Sequence, residues 1–468
     1  MRVESQDPLA AAAGRAKALR RQVEDLEGTD VRDTLVAALY AKAEDIYQNS
    51  VIEPQQRVDW DQKVDDILTS KVLGYPLMLL ALGVILWISI TAANYPSELL
   101  ATSFFAIEKH LSAVFAKLNA PGWLHGFVVL GIYRSLGWVI AVMLPPMAIF
   151  FPLFGLLEDL GYLPRVAFNL DRLFQKAGAH GKQALTMAMG FGCNAAGVMA
   201  ARIIDSPRER MLAILTNNFM PCNGRFPLLI AMASLFLSGG FARVNLIAAL
   251  IVAAVVLFGV AITFLVSYIL SRTLLRGVPS FFTLELPPYR RPQIMQILVR
   301  SLLDRTLPVL LRAVKVAAPA GGIVWILANL HIGDLNIIGH GASFLDPLGS
   351  LLGMDGYILL AFILAFPANE IVLPVLLMSY LGVGAMLEFD SLAAMKTLFA
   401  SRGWTWVTAL NVMIFSMLHF PCGTTLLTIY NETKSRLWTC AAAVLTTGTA
   451  VLVCVVITQG IAVLQKLF

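Results

Sequence analysis

The sequence is short of charge. Only 14% of its 468 residues are Asp, Glu, Lys or Arg against 58% hydrophobic, and the mean hydropathy is +0.73. That balance excludes an ordinary soluble protein and predicts an all-α polytopic membrane protein. Its five cysteines include no CxxC pair, which excludes a disulfide framework. No GxxxxGK[ST] run occurs, so nothing here forms the loop that cradles nucleotide phosphates. Residues 1–72 are polar and contain no short apolar core with a cleavage site, so they predict a cytoplasmic helical segment rather than a secretory signal. These residues hold ten Lys/Arg and fourteen Asp/Glu, so the formal +5 splits into −4 here and +9 over the rest. The positive excess therefore belongs to membrane loops, where it reports topology rather than nucleic-acid binding.

Long apolar runs are what the chain has in abundance. Helical spacing predicts a cytoplasmic helix over Val31–Tyr47, a turn near Pro54 and a first span over Leu73–Ala93. Leu100, Phe104, Ile107, Leu111, Val114 and Leu118 then recur opposite Glu108, Lys109 and Lys117, which predicts a helix lying in the membrane interface, a core-facing helix of an extramembrane lobe being the alternative. Arg165–Lys182 carries four Lys/Arg against one Asp, and Arg272–Lys315 carries eight against two acids, so both should face the cytoplasm. Three apolar stretches lie between them, and three full crossings cannot join two loops on one side. Gln183–Ile204, broken by Gly190, Gly192 and Gly197, is the expected re-entrant hairpin. The second half permits the mirror image: Leu307–Leu330 crosses outward, Tyr357–Leu381 is re-entrant at Pro367 and Pro374, and two further crossings follow. The expected divisions are 1–72 (cytoplasmic), 73–122 (first span and interfacial helix), 123–276 (first repeat), 277–304 (cytoplasmic linker) and 305–468 (second, inverted repeat).

The candidate site lies in the breaks. Gly190-Phe-Gly-Cys-Asn194, Pro221-Cys-Asn-Gly-Arg225, Phe366-Pro-Ala-Asn-Glu370 and His419-Phe-Pro-Cys-Gly423 place helix-breaking and ionisable residues at membrane depth. Lipid cannot satisfy backbone freed in this way, so such breaks are buried in protein or line a cavity. Cys193, Asn194, Cys222, Asn369, Glu370, His419 and Cys422 form the predicted metal path, because thiolate, imidazole and carboxylate together suit a borderline divalent transition metal such as ferrous iron, manganese or zinc. Gly190, Gly192, Pro221, Arg225, Pro367 and Pro421 are read as structural or gating residues. Blander readings stand beside these: cysteines as small hydrophobes in close helix contacts, Glu370 latched to Arg225 across the repeats, and His419 as a core histidine bonded to a backbone carbonyl. The outer loop His331–Asp355, with three Asp and no Lys or Arg, could concentrate cations at an entrance.

At these motifs the sequence resembles the membrane domain of the bacterial ferrous iron transporter B (FeoB) family. The resemblance runs from about residue 60 to the end, through Leu156-Leu-Glu-Asp-Leu-Gly-Tyr-Leu-Pro-Arg165, Asn169-Leu-Asp-Arg172, His180-Gly-Lys182, the Cys193 and Cys222 motifs, Ser206-Pro-Arg-Glu-Arg210, Glu285-Leu-Pro-Pro-Tyr289 and Pro421-Cys422. It implies two inverted gate-type repeats with broken helices, Fe2+ as substrate with no permanently bound cofactor, Cys193 and Cys222 on the iron path, and multi-pass insertion in the inner membrane with a cytoplasmic N-terminus. Family members carry a GTPase domain, and without a phosphate loop this chain would meet GTP only through a separate domain or a subunit in trans. Expected partners are the lipid bilayer and the metal, with no nucleic acid; the oligomeric state, a homo-oligomer included, stays open. The chain itself is expected to be a transporter and not an enzyme, with a carrier of an organic solute such as a nucleoside as the alternative.

Overall fold

The computed structural model describes residues 31–50, 60–70, 72–237, 244–277, 289, 292–385 and 392–467. Two compact units divide the chain, Met1–Lys63 and Val64–Phe468. In the first unit the helix Val31–Ser50 occupies the stretch where helical spacing predicts one. The turn expected near Pro54 lies outside the described residues, as do residues 278–288, 290 and 291 of the 277–304 linker; of Glu285–Tyr289 only Tyr289 is described.

Among the described residues of the second unit, seven helices are long and apolar enough to cross a membrane: Gly74–Lys117, Gly122–Asp159, Pro207–Leu237, Ile247–Arg272, Ile294–Asn329, Trp406–Thr433 and Arg436–Gln465. The first corrects an expectation. The span and the amphipathic stretch after it form one helix of 44 residues, running through Pro96, roughly 66 Å long at 1.5 Å per residue. Its polar stripe serves a neighbouring helix instead of headgroups. Glu108 is buried and pairs with Arg134 at 2.5 Å, and Tyr133 donates to the Phe104 carbonyl at 3.0 Å, while Lys109 and Lys117 stay exposed. The fifth crossing also starts earlier than its hydropathy suggests, at Ile294 rather than Leu307.

Two apolar segments do not cross. Gln183–Gly192 and Asn194–Ala200 are helices joined by a single extended residue, Cys193 (φ −155°, ψ 126°). They fold back on each other so closely that a Cβ on Gly197 would lie 2.7 Å from the Thr186 carbonyl oxygen. Lys182 Nζ binds Asp205 Oδ2 at 2.8 Å across the mouth, so this hairpin enters and leaves on one face. In the second half Gly356–Leu364 and Val372–Leu381 do the same. The rings of Tyr357 and Tyr380 lie 5.7 Å apart, and the Tyr380 hydroxyl donates to Asp355 Oδ2 at 2.5 Å. Ala368, at the tip, has φ −155° and ψ 127°, the conformation of Cys193.

The hairpins open on opposite faces. Arg202–Glu432 and Arg305–Glu158 join helix ends on the face of the first mouth, whereas Asn329 donates to the Gly384 carbonyl beside the second. Arms of 10 and 9 residues reach about 15 Å, half of a hydrocarbon layer about 30 Å thick, so both tips end near the midplane. The sequence His331–Asp355 is not an open loop: it forms a two-stranded ribbon, His331–Ile332 with Leu335–Asn336, and the helix Ile337–Leu351. Asp346 and Asp355 accept from the backbone N–H groups of Gly356 and Ile358 there, acting as caps instead of as free charge.

Candidate metal path

Besides the hairpin tips, two of the crossings are broken at the same depth. Pro207–Leu237 is interrupted between Thr216 and Phe226, and Trp406–Thr433 between Leu418 and Gly423. Each interruption contains a Pro-Cys pair, and Cys222 (φ −78°, ψ 165°) and Cys422 (φ −60°, ψ 158°) share one extended conformation. Proline at 221 and 421 fixes the approach and removes an N–H that the break would otherwise leave unpaired.

All four breaks meet around one small cavity of about 20 Å³, enough for a single water or ion. Cys193, Asn194, Cys222, Asn369, Glu370 and Cys422 line it together with Gly192 and Pro367. Asn369 Nδ2 lies 3.7 Å from Cys222 Sγ, and the Cys422 thiol lies 3.2 Å from Thr425 Oγ1. Close approach explains the glycines: a Cβ on Gly192 would sit 2.3 Å from the Phe150 ring and one on Gly224 2.0 Å from Glu370 Oε1. Gly190 faces Asn217 and Asn194 in the same way. Glu370 lines a second chamber as well, about 240 Å³, bounded by Trp138, Pro227, Leu377 and Met395 and leading toward the face of the second hairpin mouth.

One residue of the expected path stands apart from the cavity, and one structural residue has partners other than the expected one. His419 does not line the cavity. Its Nδ1 lies 2.9 Å from the Ser416 carbonyl, and since a carbonyl only accepts, Nδ1 carries the proton; Phe362, Phe415 and Phe420 surround the ring. It is a core histidine. Arg225 is not latched to Glu370, with which it forms no ion pair. It is completely buried and donates from Nη1 to the carbonyls of Asn218 at 2.8 Å and Met417 at 2.7 Å, and from Nη2 to Asn218 Oδ1 at 3.3 Å. Met417 lies in the last turn of Trp406–Leu418, and Asn218 in the short turn that ends the helix from Pro207. Arg225 thus places its charge on the negative ends of two helices, one from each repeat, and staples them together.

Sequence reasoning missed the residues that make the breaks tolerable. Asn217 donates to the Asn194 carbonyl at 3.1 Å and Asn218 to the His419 carbonyl at 2.7 Å, and the Gly423 amide donates to the Phe366 carbonyl at 2.7 Å. These bonds satisfy backbone that lipid could not. The signal was Asn217-Asn218, two amides in an otherwise apolar run. Met143 and Met147, one turn apart, also line the cavity. Thr424, whose buried hydroxyl has no partner among the described residues, is a further lining residue.

The donor set is therefore thiol, thioether, amide, hydroxyl and one carboxylate. Among the described residues no three His, Cys, Asp or Glu side chains stand close enough to hold an ion, so full coordination here would draw on the methionines, amides or freed carbonyls. Thiol and thioether donors favour soft and borderline metals.

Comparison with known proteins agrees with this layout. A family model described as "Gate: Nucleoside recognition" matches residues 140–236 and 310–436, taking in all four breaks, and one described as "Ferrous iron transport protein B C terminus" matches residues 252–304. The Fe(2+) transporter FeoB of Staphylococcus aureus (strain MSSA476) is 29% identical over 91% of this chain and 63% of its own length. The likeness is thus to the membrane portion of FeoB proteins. Fe(2+) transporter FeoB of Salmonella typhimurium is 30% identical over 60% of this chain and 35% of the relative. A "Fe(2+) transport protein A/Fe(2+) transporter FeoB fusion protein" of Porphyromonas gingivalis is 24% identical over 80% of this chain and 48% of its own length. The chain thus spans 63% or less of the length of these FeoB relatives. No solved structure matches it.

Proposed function

We propose that this chain carries ferrous iron across the bacterial inner membrane, with the cavity between the four breaks as its occluded midplane site. The supporting observation is that Cys193, Cys222 and Cys422, thiols from three separate breaks, all line the same small cavity. Glu370 draws a cation from the wider chamber, and the thiols with Met143 and Met147 take over as water is shed. A borderline cation such as Fe2+ suits sulfur and carboxylate together, whereas calcium and magnesium favour oxygen alone. The face with Arg165, Lys182 and Arg202 is the cytoplasmic one by the positive-inside rule, so the N-terminus is cytoplasmic too. Any GTP-driven step belongs to a GTPase outside these 468 residues, since they contain no phosphate loop.

The matched description "Nucleoside recognition" favours a second reading, an organic solute carrier. A cavity of about 20 Å³ lined by thiols supports the ion instead. Radiolabelled ferrous iron uptake into proteoliposomes, with excess nucleoside as competitor, tests this. Saturable uptake that nucleosides leave untouched is expected; uptake abolished by nucleosides, or none above protein-free vesicles, would overturn the proposal.

A further inference from the structure

On the outer surface of the protein a groove of about 830 Å³ runs between Ile294–Asn329, Gly423–Thr433 and the start of Arg436–Leu467. Its walls are apolar, from Val316 and Pro319 on one side to Leu427 and Ala443 on the other. Two cations, Lys315 and Arg436, line it with no acid between them. Both are exposed, and neither forms an ion pair among the described residues. Arg436 opens its helix four residues after Glu432, whose pair with Arg202 marks the basic face. Arg436 therefore sits at the membrane boundary, while Lys315 starts deeper, one residue before Val316, whose Cγ1 would lie 2.8 Å from a Cβ on Gly423; a lysine at that depth extends its ammonium along the apolar wall toward the boundary.

We infer that this groove is a binding site for an anionic phospholipid, with its phosphate between Lys315 and Arg436 and an acyl chain along Val316, Leu427 and Ala443. The charge complementarity is that of a basic pocket between transmembrane helices on the cytoplasmic side, and the first turn of a long helix adds a positive dipole end. The occupant also has a place in the gate. The acyl chain packs against Phe366, whose carbonyl holds the amide of Gly423, the residue after Cys422, at 2.7 Å. Lipid in the groove thus braces the joint between the second hairpin and the fourth break.

Cys440 provides the probe, because it is exposed and lines the groove while Cys193, Cys222 and Cys454 are buried. The purified chain is placed in nanodiscs of phosphatidylcholine alone or with phosphatidylglycerol, and the rate at which an uncharged maleimide modifies Cys440 is read by peptide mass spectrometry. Phosphatidylglycerol should slow labelling. Each cation contributes about fivefold to the preference for an anionic lipid, so Lys315→Gln with Arg436→Gln should lower that preference roughly thirtyfold and remove the protection, while Lys315→Arg with Arg436→Lys keeps it. Unfolding temperature in phosphatidylcholine, expected to match the parent, checks that the glutamine variant is folded. Equal labelling of the parent in both lipids, or protection that survives in the folded glutamine variant, would overturn the assignment.

Discussion

Replacing Arg225 should separate the two repeats more than any other single change. Arg225→Met keeps most of the side-chain volume but removes all three hydrogen bonds, orphaning the carbonyls of Asn218 and Met417 in a place water does not reach. Hydrogen bonds to a charged donor are worth about 1.5–3 kcal/mol each, and an orphaned buried acceptor costs about 1–3 kcal/mol. Two orphaned carbonyls set a loss of about 2–6 kcal/mol, a range that spans the cost of breaking a buried ion pair. Thermal unfolding of the detergent-solubilised protein, followed by fluorescence-detected size exclusion, reads it. Glu370→Gln is the control: without an ion pair to Arg225, it should unfold close to the parent. An Arg225→Met variant as stable as the parent, or a Glu370→Gln variant as unstable as Arg225→Met, would refute the staple and restore the latch.

Gly224→Ala should reduce iron uptake at least tenfold while leaving unfolding little changed, because its Cβ would lie 2.0 Å from Glu370 Oε1 and a flexible carboxylate can move away, at the expense of its position in the path; normal uptake would show that the placement of Glu370 does not matter. Outside the membrane, Asp65 accepts from Arg165 Nε at 2.8 Å and from the Tyr289 hydroxyl at 2.6 Å, and the Arg165 guanidinium stacks 4.0 Å from the Tyr289 ring. The Arg165 hydrogen bond in particular holds the Asp65 carboxyl below its usual range, while burial, aided by the bond to Asp65, pushes the Tyr289 hydroxyl up to about 12. A lowered folded pKa stabilises above the unfolded value of about 3.9 and is lost as pH falls through the folded value. Asp65→Asn should thus cost on the order of 2 kcal/mol at neutral pH, a gap in melting temperature that closes toward pH 3; a gap independent of pH would contradict this. With Cys440 replaced, Ser206→Cys and Val383→Cys should react with an impermeant thiol reagent from opposite sides of the membrane, and labelling from the same side would refute the inverted hairpins.

Much of the architecture was legible because lipid imposes rules on a sequence. Glycine and proline in apolar runs marked Cys193, Cys222, Pro367 and Cys422 as breaks, and the basic segments around Arg165–Lys182 and Arg272–Lys315 led by parity to the first hairpin. The continuous helix Gly74–Lys117 was not legible: Asn94-Tyr-Pro-Ser97 looks like a stop, and Glu108 looks exposed until Arg134 is seen beside it. Partner choice was the other blind spot. Arg225 and Glu370 are opposite charges in breaks that line one cavity, yet helix-end carbonyls of Asn218 and Met417 hold the arginine. His419 resembles a ligand in sequence because the carbonyl of Ser416 and the three phenyl rings around it come from the fold.

The central claim is that sulfur from the breaks takes the metal. X-ray absorption at the iron edge, on protein loaded anaerobically with Fe2+, measures it directly. The account predicts iron–sulfur scattering near 2.3 Å, the length typical of a metal–thiolate bond, weakened when Cys193, Cys222 and Cys422 are all replaced by serine. A first shell of oxygen and nitrogen alone in the unmodified protein would contradict it.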